Sequence, residues 1–217
     1  MSAHANPVIT KWLNTFGDLL DDGIPSVHQL FREARIYKNS NRPDLANRCI
    51  SLVYLLHNTS IALDAKLQSD TRLAYGGIGV VIHHAATFGK DVLIGQNVTI
   101  GGNGGKGQRD DSGNLFYLPK IGSHVYIAAG ARLLGGIEIG NYTVIAANAV
   151  VLSSIPAFSI VGGAPARVIK KIDERNALNY KDYFGFAKKL SDDEYMKRIT
   201  QELAFESRDM ESVLAQR

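Results

Sequence analysis

From Ile61 onward a large apolar residue, almost always aliphatic, returns every six positions. Ile61, Leu67 and Leu73 begin the series. After a slip of three residues it resumes at Ile82, Phe88, Ile94 and Ile100, and after a longer interruption at Ile121, Ile127, Leu133, Ile139, Ile145 and Val151. A small or β-branched residue stands four places after most of these, as at Ala65, Thr71, Ala86, Val92, Val98, Val125, Ala131, Thr143 and Ala149. An amphipathic helix repeats at 3.6 and a half-buried strand at 2, so neither yields period six over this length. Fixed self-similarity means stacked units. Three hexads make one coil, with Ile82 and Ile100 18 residues apart. The apolar residue of each hexad points inward and stacks on its equivalents in the neighbouring coils. Glycine or alanine, as at Gly89, Gly95, Gly122, Gly140 and Ala146, follows it at the tight corners, where bulk or an ordinary φ would clash.

The step from Ile100 to Ile121 breaks the period. Residues 101–120 open with five glycines in seven residues, then carry mixed charge and Phe116-Tyr117. This is the pattern of a loop thrown out from one coil, and such loops often serve function.

Helices flank the repeats. Val27, Leu30, Phe31 and Ala34 fall at helical spacing behind Ser26, a good N-cap. A further helix begins near Pro43 and carries Leu45, Cys49, Leu52, Val53 and Leu56 on one face, ending about His57. After Ile172 the hexads stop. Ser191-Asp192-Asp193-Glu194 forms a capping box before Tyr195, Ile199 and Leu203, in a helix reaching about Leu214 that is expected to cap the open end of the solenoid. The expected division is residues 1–59, a helical segment; 60–171, the repeats with loop 101–120; and 172–217, a helical tail.

Composition restricts the function. Lys and Arg are spread along the chain and the net charge is only +3, which argues against nucleic acid as partner. A single cysteine, Cys49, excludes an internal disulfide framework. No apolar run of membrane-spanning length and no leader-like start occur, so a soluble, cytoplasmic protein is the expectation.

Residues 61–171 resemble the hexapeptide-repeat acyltransferases, above all serine O-acetyltransferases and related sugar O-acetyltransferases. The resemblance rests on residues 94–102 (IGQNVTIGG), 119–140 (PKIGSHVYIAAGARLLGGIEIG), 144–152 (VIAANAVVL) and 155–172 (IPAFSIVGGAPARVIKKI). It implies a mainly β fold, a left-handed parallel β-helix with helical flanks. It also implies a homotrimer with clefts between subunits, acetyl-CoA as co-substrate along the groove between solenoids, and loop 101–120 reaching toward a neighbouring subunit. A small-molecule acceptor would take the acetyl group.

Acetyl transfer to a hydroxyl needs a base for the proton and donors for the developing oxyanion, and histidine is the natural base near neutral pH. The family's pattern would place an Asp-His pair at Ala74-Tyr75, a His at Leu118 and an Asp at Ser60, so the sequence departs at each place. His83-His84, at the root of the loop, are the substitute candidates for the catalytic base, His84 ahead of His83. His124 is expected to be a surface residue. For acetyl-CoA, the resemblance implies Ala129, Ala147, Leu152 and Ser153 along the coils, with Arg167 and Lys170 at the phosphates. Tyr75 and Arg109 are candidates for the acceptor. No metal is expected. A γ-type carbonic anhydrase would need three histidines around a metal, and His124 lacks the required partner. The remaining alternatives are a sugar N-acyltransferase and a catalytically silent β-helix that assembles a complex.

Overall fold

The computed structural model describes residues 6–21, 23–105, 107–110 and 112–215. Its centre is a three-sided stack of coils. One side stacks Ser60–Ile61, Val81–Ile82, Thr99–Gly101, Arg132–Leu134 and Val150–Val151 in that order. The second stacks Thr87–Phe88, Lys120–Ile121 and Glu138–Ile139, extended by single bridges at Lys66 and Ile155. The third stacks Arg72–Leu73, Leu93–Ile94, Tyr126–Ile127, Val144–Ile145 and Ser159–Gly163. All these pairs are parallel. Ala166–Lys171 then turns back antiparallel on Ser159–Gly163 and closes the third side.

The register follows the hexads. Ile61 pairs with Ile82, Ile82 with Ile100, Ile100 with Leu133 and Leu133 with Val151. Loop 101–120 is absorbed without disturbing the stack, since Phe88 pairs with Ile121 and Ile121 with Ile139. These side chains fill the interior, none more than 5% exposed. Leu67 and Leu73, in the first coil, are only half-buried because no coil lies beneath them.

Of the two reasons expected for glycine at the corners, bulk is the one that holds. At Gly89, Gly122 and Gly140 the issue is space rather than φ. A Cβ on Gly140 would lie 2.2 Å from the Ala157 nitrogen in the next coil. The left-handed backbone falls two residues later, on Asp91, Asn97, His124, Tyr142, Asn148 and Phe158. At the corner between the third and first sides, left-handed Gly130 sits where Asn148 reaches up, a Cβ there falling 2.2 Å from Asn148 Oδ1.

Helix α1 spans Pro7–Asp21, α2 Val27–Asn39 and α3 Pro43–His57. The Ser26 capping box is formed: Gln29 N–H donates to Ser26 Oγ and Ser26 N–H to Gln29 Oε1. Val27, Leu30, Phe31 and Val53 join the solenoid core, so α2 and α3 close its first-coil end. The face expected on α3 is only partly used: Val53 is fully buried and Cys49 half-buried, but Leu52 and Leu56 are exposed, because α3 meets the rest through Ala46 and Val53.

The tail also departs from expectation. Asp192–Ala215 is helical, here α4, and its Ser191–Glu194 box is formed. It does not cap the open end. Ile172, Phe184, Ala187, Tyr195 and Ile199 pack with Tyr142, Val144, Ala157 and Phe158 in a second core on the flank of the solenoid, at the corner between the second and third sides. That corner presents a column of rings to the tail, which an end cap would leave bare.

Candidate active site

His83 and His84 follow Ile82 at the corner between the first and second sides. Both are exposed, and their ring centroids lie 4.2 Å apart. His83 N–H donates to Ile100 O, which places the pair beside Gly101, where the loop departs. The Ala85 N–H points at His83 Nδ1 at 3.3 Å, favouring the tautomer with its proton on Nε2. The carboxylate of Asp64, one coil below, is held under its usual range by the Lys38 ammonium bonded to it, and His84 is close enough to add to that effect.

The loop folds over its own solenoid. Gln108–Arg109 pairs antiparallel with Leu115–Phe116, and Gln108 Oε1 accepts from Ser154 Oγ at 3.1 Å, two coils beyond the loop's root. Gly136 fits beneath Phe116 O, where a Cβ would lie at 2.4 Å. Lys120 anchors the base of the hairpin, 2.7 Å from Asp110 Oδ2 and 4.1 Å from the Phe116 ring centroid. The described part of the loop thus runs along its own coils.

The other candidates distribute around the first side. Ala129 and Ala147 stack at its corner with the third side, where Asn148 N–H donates to Ala129 O. Leu152 and Ser153 lie at the opposite corner, in the column that contains His83 and His84. Arg167 and Lys170 stand exposed on the return strand, opposite Gly162 and Ile160. Tyr75 is exposed in the turn Ala74–Gly77, with φ +50°. Within one chain the first side separates Tyr75 from the histidines. Arg109 closes its own hairpin by donating to Gly113 O at 2.7 Å. Leu118 is half-buried against Gly102, and Ser60 is exposed at the start of its strand.

His124 is not the surface residue expected. It is half-buried in the column of rings, stacked on Tyr142 at 4.7 Å and against the edge of Phe186 at 4.5 Å. Its Nδ1 lies 3.1 Å from Asp91 Oδ2, an oxygen that also accepts from Phe186 N–H at 3.0 Å. Asp91 Oδ1 accepts from Arg72 Nη2 at 3.1 Å. Burial pushes the Asp91 carboxyl up, but the bonds from His124 and Phe186 and the Arg72 charge outweigh it and hold the carboxyl below its usual range. The tail covers this Asp-His pair, so it fastens the tail and leaves no room for a substrate. The pairing was legible: with the loop set aside, Asp91 and His124 each stand three places after a stacked apolar residue, Phe88 and Ile121.

Comparison with known proteins fits this frame. The family described as bacterial transferase hexapeptide (six repeats) matches residues 119–153, a run of coil with its inward apolar residues in place. The similarity to proteins of known activity is wider. A serine acetyltransferase of Haemophilus influenzae is 32% identical over 173 residues, 77% of this chain and 59% of that protein. One from Staphylococcus aureus is 45% identical over 96 residues, 44% of this chain and 41% of that protein. Among solved structures, serine acetyltransferase from Brucella abortus in complex with coenzyme A is 34% identical with a TM-score of 0.57, covering 67% of this chain and 55% of that one. The chain therefore spans less than two thirds of the length of these relatives. The chain resembles the hexapeptide-repeat acyltransferases and, among them, the serine acetyltransferases.

Proposed function

We propose that the chain is an acetyl-CoA-dependent O-acetyltransferase acting on a small polar acceptor, serine-like or a sugar. The observation that carries the reading is the similarity to a serine acetyltransferase solved with coenzyme A, in a chain whose hexads end in the Ala166–Lys171 return strand. In this reading the solenoid is a left-handed parallel β-helix over residues 60–171, flanked by helical segments 1–59 and 172–217. It works in the cytoplasm as a homotrimer with acetyl-CoA in the groove between neighbours. Among the described residues no helix is long and apolar enough to cross a membrane.

His84, or His83 beside it, is the general base. It takes the acceptor hydroxyl proton as that oxygen forms a bond to the acetyl carbon. The carbon–sulfur bond then breaks, and the proton passes to the departing CoA thiolate. Ala129 and Ala147 leave the backbone open to the pantetheine arm, with Leu152 and Ser153 along the opposite corner. Arg167 and Lys170 meet the phosphates, and Tyr75 contacts the acceptor. Arg109 enters only if its bond to Gly113 opens. A sugar N-acyltransferase uses the same arrangement with an amine as acceptor.

The test is thiol release from acetyl-CoA against a panel of serine, homoserine, nucleotide sugars and galactosides. With a positive acceptor, His84→Ala lowers turnover by about 10²–10⁴-fold while acetyl-CoA binding holds. Unchanged turnover in His83→Ala, His84→Ala and the double variant would remove the pair from the mechanism. The second reading, a silent assembly protein, is favoured by Ala74-Tyr75, Leu118 and Ser60 at the family's catalytic places. It gains if no acceptor on the panel releases thiol.

A further inference from the structure

A cleft of about 620 Å³ lies on the far side of the first coil from the histidines, between α2 and the corner Leu67–Thr71. One face of α2 lines it with His28, Arg32 and Arg35, spaced four and three apart and so aligned along the helix. Among the described residues no carboxylate lines the cleft. Glu33 approaches Arg32 only to 3.9 Å, beyond hydrogen-bond distance, and Asp64 is engaged by Lys38. Arg35 is held in place, donating to Ala65 O at 2.7 Å with its guanidinium carbon 4.9 Å from the Phe31 ring centroid. Burial pushes the His28 imidazole below its ordinary range, so its proton is one that an anion would restore.

We propose that this cleft binds a phosphorylated small molecule. A phosphate's terminal oxygens can take donors from the two guanidiniums and a protonated His28, and its charge exceeds that of a single carboxylate. The volume leaves room for a sugar-sized body beyond the phosphate, against Leu67 and Ile36. The site is separate from the acyl-transfer reading, and either can fail without the other.

The full chain is titrated with ribose 5-phosphate, inorganic phosphate and ribose while the His28 ring protons, assigned with His28→Gln, are followed by NMR across pH. Ribose 5-phosphate shifts the resonance and raises the His28 pKa, ribose does neither, and inorganic phosphate binds more weakly. Arg32→Gln, at a side chain 72% exposed and so harmless to folding, weakens ribose 5-phosphate about tenfold or more. The proposal is overturned by no shift at millimolar ribose 5-phosphate, by a shift undiminished in Arg32→Gln, or by inorganic phosphate binding as tightly as the sugar phosphate.

Discussion

Asp91 fastens three parts of the chain with one carboxylate: Arg72 from the first coil, His124 from the third and the Phe186 N–H of the tail. Asp91→Ala strands two positive or polar side chains and a backbone N–H in a half-buried place. A hydrogen bond to a charged group contributes about 1.5–3 kcal/mol, but bonds to one carboxylate are not additive. The Arg72 share is discounted because its side chain is 37% exposed. Alanine is also strained at φ +52°. The net loss is about 2–4 kcal/mol. Asp91→Asn tolerates that φ and keeps an acceptor, so it isolates the charge at about 1–2 kcal/mol. The carboxyl's folded pKa is depressed, so its contribution is complete above the unfolded value of about 3.9 and fades as pH falls through the lower folded value. Urea unfolding at neutral pH and below about pH 3 separates the cases: the gap between native chain and Asp91→Asn should close in acid. Equal stabilities at neutral pH, or a gap that survives undiminished in acid, would refute the account. Faster proteolysis within residues 185–190 should accompany the neutral-pH loss.

Other outcomes follow from the same geometry. Gly140→Ala forces a Cβ onto the Ala157 backbone and should cost about 2 kcal/mol or more, whereas Gly101→Ala, with nothing within 4 Å, should be nearly neutral; matching melting curves would contradict the steric reading. Arg167→Ala with Lys170→Ala should raise the KM for acetyl-CoA more than it lowers turnover and flatten its salt dependence, an unchanged CoA affinity counting against the phosphate assignment. If the site forms between subunits, refolding a mixture of His84→Ala and Arg167→Ala/Lys170→Ala chains should restore activity at about a quarter of the interfaces, and a monomer by light scattering would remove that expectation.

The hexads made the solenoid legible because a single residue type at fixed spacing determines both which side chain points inward and which residue it stacks upon. That is why register survives a loop of any length: Ile121 resumes over Phe88 as though residues 101–120 were absent. The flanks were less legible for an equally physical reason. Period 3.6 identifies a helix and its apolar stripe, but not what covers the stripe. On α3 the stripe gave Val53 to the core and left Leu52 and Leu56 in solvent, and α4 turned Tyr195 and Ile199 to a flank instead of an end. Nothing in the periodicity of either helix carries that choice, which depends on the surfaces the coils present.

For the site the same limit appears from the other side. Corner residues point outward, so their fate is decided by what passes over them. His83, His84 and His124 all follow stacked apolar residues by one to three places and look alike in sequence. Yet two stand exposed at the loop root, and the third is sealed beneath Phe186. The difference lies in the residues stacked with each. The histidine pair shares its column with Gly101, Gly102 and Gly135 as well as Leu134 and Leu152, and the glycines leave room for the hairpin to cross. His124 shares its column with Tyr142 and Phe158, rings stacked at 4.8 Å that no solvated corner would gather. Reading down a corner column, and not along the hexad, separates a histidine left open to solvent from one held in packing. By that criterion the exposed pair, and not the better-formed Asp-His pair, is the candidate base.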